Sequence, residues 1–186
     1  MCRYPTTALL TALALAGCGG TPRYVHPSAD LGGVKTVAVL PFETLVQDKL
    51  AGERVQKILF TELLLSGGFE VTEPGQVLQA LRRAQVDPAS LTPDDIKRLG
   101  KELKVQALFL GSILEYDDGR GSGSVPAPRV KLQLRMVDTE TATTLWSAMP
   151  SRSGVPFTGR LFGIGGDPAS TAAEELIRDE VARLVR

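Results

Sequence analysis

The chain has 186 residues, of which 43% are hydrophobic and 23% are charged, a composition typical of a globular protein with one domain and its own core. Its 21 basic and 21 acidic side chains balance, so the bulk charge indicates neither a nucleic acid nor an anionic surface as a partner. Two cysteines and one histidine, His26, cannot form a zinc site of the Cys/His type. We predict no metal and no other cofactor.

The N-terminal segment combines a positive charge, an apolar run and a cysteine. After Arg3, the run Thr6–Gly17 is interrupted only by threonines, and its helical length of about 18 Å is too short for a hydrocarbon core of about 30 Å. A run of this length is typical of a secretory signal. It ends in the letters LAGC, with small residues directly before Cys18.

This ending resembles the lipobox of bacterial lipoproteins. The resemblance implies that residues 1–17 are removed and that Cys18 carries lipid as the first residue of the mature protein. Several acyl chains together hold a protein firmly on a membrane. Gly19 follows where an aspartate would mark inner-membrane retention, which implies the outer membrane and a protein facing the periplasm. The alternative is an ordinary signal peptide with a chance cysteine.

Residues 18–33 are predicted to be the lipidated cysteine and a flexible tether, because they are rich in Gly and Pro and show no period. A single α/β domain is predicted over residues 34–186. His26 lies in the tether, where a lone histidine is expected to be solvated rather than catalytic. With no disulfide, the exported domain depends on its apolar core.

The first half of the domain is predicted to alternate strands with helices. The apolar residues 37–40 indicate a buried strand, and helical spacing follows over 45–66 until a glycine pair ends the helix. A short strand, FEVT, precedes a helix that starts at Pro74. Thr92 is the predicted N-cap of a third helix, with Pro93 and two aspartates in its first turn.

The second half is predicted to contain the central strand and a hairpin. Residues 105–114 are apolar on both faces, and a polar loop follows over 116–129. Residues 130–137 alternate strictly, which predicts one covered and one wet face, and the stretch TTLWSA is the hairpin partner. A final helix is predicted to have Asp167 or Ser170 as its N-cap.

Together these elements predict an α/β (α+β) fold with a single mixed sheet of about five strands. The predicted order is β-α-β-α-α-β-β-β-α, with the helices packed against one face of the sheet. We find no internal repeat.

Four stretches of the chain resemble one class of envelope domain: VAVLPFE, GGFEVTE, DIKRLGKELKVQALFLGSI and VKLQLRMVDTETATTLWSA, which span residues 35–148. In order and spacing they resemble the periplasmic domain of CsgG-type curli secretion lipoproteins, LpoB-type activators of penicillin-binding proteins and the N-terminal domain of TolB. The resemblance implies a lipoprotein that binds an envelope protein or itself. Relatives tend to have glycine where this chain has Lys104 and Ala142, and both departures affect turns.

A subunit of an oligomeric CsgG-type secretion channel is the first alternative. Membrane hairpins need about 9–11 alternating residues with an apolar outer side. The 116–129 loop lacks that pattern, and the 130–148 hairpin begins with Lys131, Gln133 and Arg135 on one side. The pattern disfavours a pore-former and leaves open an oligomer that uses other strands.

Motifs for catalysis are weak in this sequence. Ser122 lies in a glycine-rich loop, whereas the one histidine lies in the tether, so a serine hydrolase is not indicated. The carboxylate pairs Asp94-Asp95 and Asp117-Asp118 fall at a helix start and a loop start, where structural roles explain them. GIGGDPAS lacks the lysine and the preceding strand of a phosphate-binding loop. We predict a protein that is not an enzyme, and the second alternative is an envelope enzyme acting on a small molecule or glycan.

Apolar side chains in and near loops are the candidate partner contacts. They are Trp146 on the hairpin and Phe157, Leu161, Phe162 and Ile164 in the Gly-rich stretch 150–166. Such side chains can dock a partner or enter a bilayer, and the other interpretation is that they complete the core. We predict an outer-membrane-anchored periplasmic lipoprotein that acts as a non-enzymatic assembly, secretion-accessory or activator binding module.

Overall fold

The computed structural model describes residues 21–119, 128–153 and 168–185. Within these residues, eight strands form one mixed sheet, and four α-helices pack against it. In chain order the elements are β1 (Arg23–Val25), β2 (Thr36–Val39), β3 (Glu43–Thr44), α1 (Ala51–Ser66), β4 (Glu70–Val71), α2 (Pro74–Ala84), α3 (Pro93–Leu103), β5 (Ala107–Asp117), β6 (Arg129–Asp138), β7 (Thr144–Ala148), β8 (Ser151–Ser153) and α4 (Ala169–Leu184).

The strand order is β1-β7-β6-β5-β2-β4, with β3 paired to β5 and β8 paired to β6. Strands β2 and β4 run parallel to each other, as do β2 and β5, whereas β5-β6-β7-β1 is an antiparallel series. This confirms the predicted mixed α/β sheet. The strands beyond the predicted five are β1, β3 and β8, which have only two or three residues each.

Helices cover both faces of the sheet, so the prediction that they pack on one face is wrong. Helices α1 and α4 cover one face, against Val37 and Val39 of β2, and α2 and α3 cover the other, against Ala38 and Leu40. The physical reason lies in β2 and β5. Consecutive apolar residues on a strand point to opposite faces, so both faces need a cover.

Helix α3 begins as its sequence predicts. The Thr92 hydroxyl accepts the Asp95 backbone N–H at 3.2 Å, and the Asp95 carboxylate accepts the Thr92 backbone N–H at 3.1 Å. This reciprocal arrangement is a capping box. Helix α1 begins at Ala51, later than the predicted residue 45, and Asp48 accepts the backbone N–H of Leu50 at 3.0 Å just before it.

Different elements of the fold lie at the two ends of the sheet. The end at which β5 finishes and β6 starts also holds β8 and the start of α4, and we call it the loop end. The opposite end, where α3 finishes and β5 starts, is called the α3 end. The 11 residues of β5 separate the two ends by about 33 Å.

Candidate functional site

The segment directly after the predicted lipid attachment is a strand of the sheet. Residues Arg23–Val25 pair antiparallel with β7, in the register Arg23 to Ala148 and Val25 to Trp146. Two flanking hydrogen bonds extend the pairing: Met149 donates its N–H to the Pro22 carbonyl at 3.1 Å, and His26 donates to the Leu145 carbonyl at 2.8 Å. The predicted flexible tether over 18–33 is therefore wrong for residues 23–33, which also include a short 3₁₀ helix, Leu31–Gly33.

An ion pair holds strand β1 against helix α4. The Arg23 guanidinium donates to both carboxylate oxygens of Glu180, Nε to Oε2 at 2.7 Å and Nη2 to Oε1 at 2.6 Å. The Glu180 side chain is 3% exposed, and that of Arg23 is 27% exposed. The hydrogen bond to Glu180 raises the pKa of Arg23 above its usual value. A two-point contact with a buried carboxylate fixes both distance and orientation, so the N-terminal strand is tied to the core at a defined place.

The two carboxylates at the loop end have structural partners. Asp117 accepts from the Arg129 guanidinium at 2.9 Å and from the Gly119 N–H at 2.8 Å, and these contacts hold the pKa of Asp117 below its usual value. Asp118 accepts the Ala169 N–H at the first turn of α4 at 2.7 Å. The carboxylate pair singled out in the sequence therefore closes one loop and supports one helix start.

The N-terminus of α4 is capped by a residue far away in the sequence. Asp167 or Ser170 was the predicted cap, but the N-cap position is Pro168, and it makes no side-chain cap hydrogen bond. Asp118 supplies the acceptor from 51 residues upstream. Asp167 lies outside the described residues. The residues near the start of α4 give no sign that Asp118 is the acceptor, because this contact depends on how β5 and α4 pack together.

A cavity of about 520 Å³ adjoins the loop end, lined by Asp48, Arg54, Tyr116, Asp118 and Ser170 among others. The guanidinium of Arg54 donates a hydrogen bond to the Asp48 carboxylate at 2.5 Å, so its positive charge is paired. Burial raises the pKa of Tyr116 against the opposing effect of Arg54. The side chains that line the cavity thus serve to hold the start of α1 to the end of β5.

The predicted partner contacts divide between the core and residues that the structure does not describe. Trp146 is 4% exposed and packs in the core between the sheet and helices α1 and α4, which removes it from any contact surface. Its burial follows from its position on the sheet face that α1 and α4 cover, where it lies beside the buried Met136 of β6. The remaining site residues lie outside the described residues: Cys18, Phe157, Leu161, Phe162 and Ile164. Ser122 also lies outside them.

His26 is placed at the end of β1. Its Nδ1 lies 3.0 Å from the Ser28 hydroxyl, and its ring meets the Tyr24 ring edge to face at 6.4 Å. Within the described residues, no group of three or more His, Cys, Asp and Glu side chains is arranged to hold a metal ion. Among the helices of the described part, none has the length and apolar character needed to cross a bilayer.

Exposed apolar side chains occur at several places on the described surface, among them the edge strand β1 and the C-terminal ends of α1 and α4. At the edge strand β1, Tyr24 and Val25 are each about half exposed; they point to opposite faces of this edge, and we call the two together the β1 patch. At the C-terminal ends of α1 and α4, Leu64, Leu65 and Val185 are exposed, and we call these three the α1 patch. Gly68 brings the two helix ends together, since a Cβ there would lie 2.6 Å from Val185.

The α1 patch was missed in the sequence analysis. Leu65 is 74% exposed, an unusual position for a large apolar side chain at the end of an amphipathic helix. The signal was present in the sequence, because Leu64 and Leu65 fall outside the stripe formed by Val55, Leu59 and Leu63. The helical period predicts that such residues face away from the core.

Comparisons with known proteins identify the fold. No family model and no curated protein matches the chain. Two structures of the PelC dodecamer from Paraburkholderia phytofirmans align with TM-scores of 0.61 and 0.59 at 17% and 16% identity, covering 89% of this chain and 98% and 96% of the PelC chain. The chain shares the PelC fold.

Two further aligned structures are those of a lipoprotein and of the LpoB C-terminal domain. Lipoprotein GNA1162 from Neisseria meningitidis aligns with a TM-score of 0.52 at 18% identity, covering 70% of this chain and 92% of the other. The fold is therefore also that of a lipoprotein. The LpoB C-terminal domain from Salmonella enterica aligns with a TM-score of 0.44 at 20% identity, over 64% of this chain and 85% of that domain. That score is too low to establish a shared fold, so the specific resemblance to LpoB, CsgG and TolB stays a prediction.

Proposed function

We propose that this chain is an outer-membrane lipoprotein, anchored through Cys18 on the periplasmic side, that acts by binding proteins rather than by catalysis. Its first binding partner is a second copy of the same chain. Several copies would associate into a ring-like complex, and this complex would support assembly or secretion in the cell envelope. The role is thus a narrower version of the binding module that the sequence predicts.

The observation that carries this proposal is a pair of different apolar patches on a PelC-like fold. The aligned PelC chains form a dodecamer. A closed ring needs a head-to-tail interface, in which one surface of a subunit meets a different surface of the next. The β1 patch lies on the edge strand β1, whereas the α1 patch lies at the C-terminal ends of α1 and α4, so the subunit has two different surfaces of the kind that such an interface requires.

The polar groups at the loop end support binding rather than acid–base chemistry. Asp117 and Asp118 are engaged with Arg129 and with the start of α4, and Asp95 belongs to the capping box of α3. Each of these contacts holds a loop or the start of a helix in place. Asp48, Asp117 and Asp118 line one cavity, and Asp48 is likewise engaged, by the Arg54 guanidinium.

The test is the mass of the lipidated protein in mild detergent, measured by size exclusion with light scattering and by native mass spectrometry. We expect a complex of many copies for the natural chain. Leu65→Glu places a charge in the α1 patch and is expected to reduce the complex to small species. Leu78→Glu is the matched control, because Leu78 is an exposed leucine of α2 outside both patches, and the complex is expected to persist.

Two results would contradict the proposal. A monomer at every concentration of the natural chain would exclude self-association, and an intact N-terminus upstream of Cys18, or one without acyl chains, would exclude the lipid anchor. A complex that conducts ions across a planar bilayer would favour the alternative of a channel subunit.

A further inference from the structure

We propose that one face of the sheet holds a binding site for the C-terminal end of another polypeptide, and that Arg135 recognises the terminal carboxylate. The site goes beyond the proposed self-association, because it requires neither a second copy of this chain nor a lipid. It adds a second class of protein partner, which is identified by the chemistry of its last residues.

The site lies where the layer formed by α2 and α3 ends. These helices cover the part of the face around Leu108 and Val137, which are both buried. In the next row of the same face, Leu110 is half-buried and Arg135 is exposed. A cavity of about 310 Å³ forms at this step, between the strands and residues 88–91, which join the two helices. Its volume is at the lower end of the range for ligand sites.

The strand register brings three polar side chains into this cavity. Arg135 pairs with Leu110, and Ser112 pairs with Gln133 of β6 and with Glu43 of β3. Alternate residues of a strand share a face, so Ser112 lies on the same face as Leu110. Arg135, Gln133 and Glu43 consequently line one cavity.

A β-bulge turns Glu43 towards the cavity. The partner of Val39 on β5 is Phe109. The partner of Glu43, four residues after Val39, is Ser112, only three residues after Phe109. The extra residue moves the Glu43 side chain to the other face of the sheet. There the Ser112 hydroxyl donates to the Glu43 carboxylate at 3.1 Å, which fixes the position of the carboxylate.

Arg135 has a guanidinium without a partner. Most arginines of the described residues form an ion pair with a carboxylate, whereas Arg82, Arg135 and Arg183 do not. Of these three, Arg135 lines the cavity. A guanidinium binds a carboxylate through two parallel hydrogen bonds. Gln133, one row away, adds a side-chain amide that both donates and accepts.

These groups fit the end of a peptide chain. A terminal carboxylate matches the Arg135 guanidinium, and the peptide group before it matches the Gln133 amide. A backbone N–H further back matches the Glu43 carboxylate. Leu110 and the buried Ile96 also line the cavity, so an apolar last side chain is expected to be preferred over a charged one.

The spacing of the charges favours a chain over a single amino acid. Arg135 and Glu43 lie two strands and two residues apart in the sheet, so their Cα atoms are separated by about 12 Å. An extended chain advances by about 3.5 Å per residue. A peptide end of about three residues therefore spans this distance, whereas the amino and carboxylate groups of one amino acid do not.

The experiment measures peptide binding to the lipidated full-length protein in mild detergent by fluorescence polarisation. The probes are tetrapeptides with an N-terminal fluorescein, which carry every combination of residues at the last two positions. Each probe is made with a free carboxylate and with a C-terminal amide. Arg135→Gln removes the guanidinium. Arg82→Gln is the matched control, because Arg82 is also exposed and unpaired but lies on α2 and does not line the cavity.

We expect probes with an apolar last residue and a free carboxylate to bind. Their amide forms are expected to bind about tenfold more weakly or worse, because a hydrogen-bonded ion pair is lost. Arg135→Gln is expected to cause a loss of the same size for the free carboxylates, and Arg135→Lys, which keeps the charge but not the two-point contact, an intermediate loss. Arg82→Gln should leave binding unchanged.

Three results would overturn the site: no probe binding at millimolar concentrations, equal binding of acid and amide forms, or equal losses in Arg135→Gln and Arg82→Gln. Free leucine that competes as well as the best peptide would overturn the polypeptide as the ligand. None of these results affects the proposed self-association, which is measured as mass without any peptide. A monomeric protein that binds the probes would overturn self-association and leave this site standing.

Discussion

The family that the sequence resembles tends to have glycine where this chain has Lys104 and Ala142. Both residues adopt a left-handed backbone. Their φ angles are 57° and 59°, and Gln85, which ends α2, has a φ of 54°. Side chains with a Cβ cost roughly 1 kcal/mol or more in this region. The turns therefore keep the geometry for which glycine is best suited, although the chain has lost the glycines.

Replacing Lys104 with glycine is expected to stabilise the domain by about 0.5–1 kcal/mol, because relief of the left-handed strain exceeds the extra chain entropy of glycine. Lys101→Gly is the matched control, an exposed lysine three residues earlier inside α3, and is expected to destabilise by about 1 kcal/mol. Urea unfolding of both variants measures the difference. Destabilisation by Lys104→Gly would show that the Lys104 side chain contributes more than its backbone costs.

The Thr92–Asp95 capping box makes a contribution to stability that depends on pH. Hydrogen bonds from the Thr92 hydroxyl and backbone, aided by Arg98, hold the pKa of Asp95 below its usual value. A carboxylate with a lowered folded pKa adds stability above its unfolded pKa of about 3.9, and that stability is lost as pH falls through the folded value. The gap in melting temperature between the natural chain and Asp95→Asn should thus be largest near neutral pH.

The same gap is expected to shrink below about pH 4, as measured by thermal unfolding across a pH series. Thr92→Val, which removes the hydroxyl but not the carboxylate, should flatten the pH dependence in part. A gap that stays constant into acid would contradict the role assigned to the Asp95 charge.

At the scale of elements, the fit between α3 and the turn after β6 depends on one missing side chain. A Cβ at Gly100 would lie 2.2 Å from the Cβ of Thr139. This close approach lets the Thr139 hydroxyl donate to the Val105 carbonyl at 2.7 Å in a buried position. The helix, the turn and the start of β5 are therefore locked together at the α3 end.

Gly100→Ala is expected to destabilise the domain by about 1–3 kcal/mol, because the added methyl group forces the helix and the turn apart. Gly75→Ala is the matched control, since Gly75 is also helical but has nothing within 4 Å of its missing Cβ. That variant is expected to be neutral or slightly stabilising. Chemical unfolding compares the two, and equal effects would show that the contact with Thr139 does not control the packing.

At the scale of the whole molecule, the N-terminal strand joins the segment proposed to carry the lipid to the core. β1 adds an edge to the sheet beside β7, and Arg23 reaches Glu180 on α4, 157 residues away. The same edge carries the β1 patch proposed for self-association. The strand β1 therefore contributes to the stability of the domain, and it is also the element nearest to the proposed lipid and part of the proposed contact with a neighbouring copy.

Arg23→Ala is expected to lower the free energy of unfolding by about 2 kcal/mol, below the roughly 3–5 kcal/mol of a fully buried pair because Arg23 is partly exposed. Arg83→Ala breaks the surface pair with Glu102, where the arginine side chain is 67% exposed, and should change stability by at most about 1 kcal/mol. In the Arg23→Ala background, Glu180→Gln is expected to recover stability, because it removes the unpaired buried charge. Equal losses of stability in the two single arginine variants would contradict a structural role for the Arg23–Glu180 ion pair.

The features that the sequence by itself determined depend on residues close together in the chain. The capping box spans Thr92 to Asp95, the alternation of β6 repeats every second residue, and the predicted lipobox is likewise a run of four residues. Hydrogen bonds and strand or helix periods act over these short distances, so their pattern is visible without a structure. The mixed α/β sheet follows from the same local signals.

Only the tertiary structure decided the features that join distant residues. Helices on both faces, the docking of Arg23 on Glu180, the capping of Ala169 by Asp118 and the burial of Trp146 all depend on which elements become neighbours. A short stretch such as residues 23–25 has too few residues to show a period, and it becomes a strand only because β7 offers an edge and α4 a buried carboxylate. The energy of such contacts is set by packing and desolvation at the meeting point, which no single segment of the chain encodes.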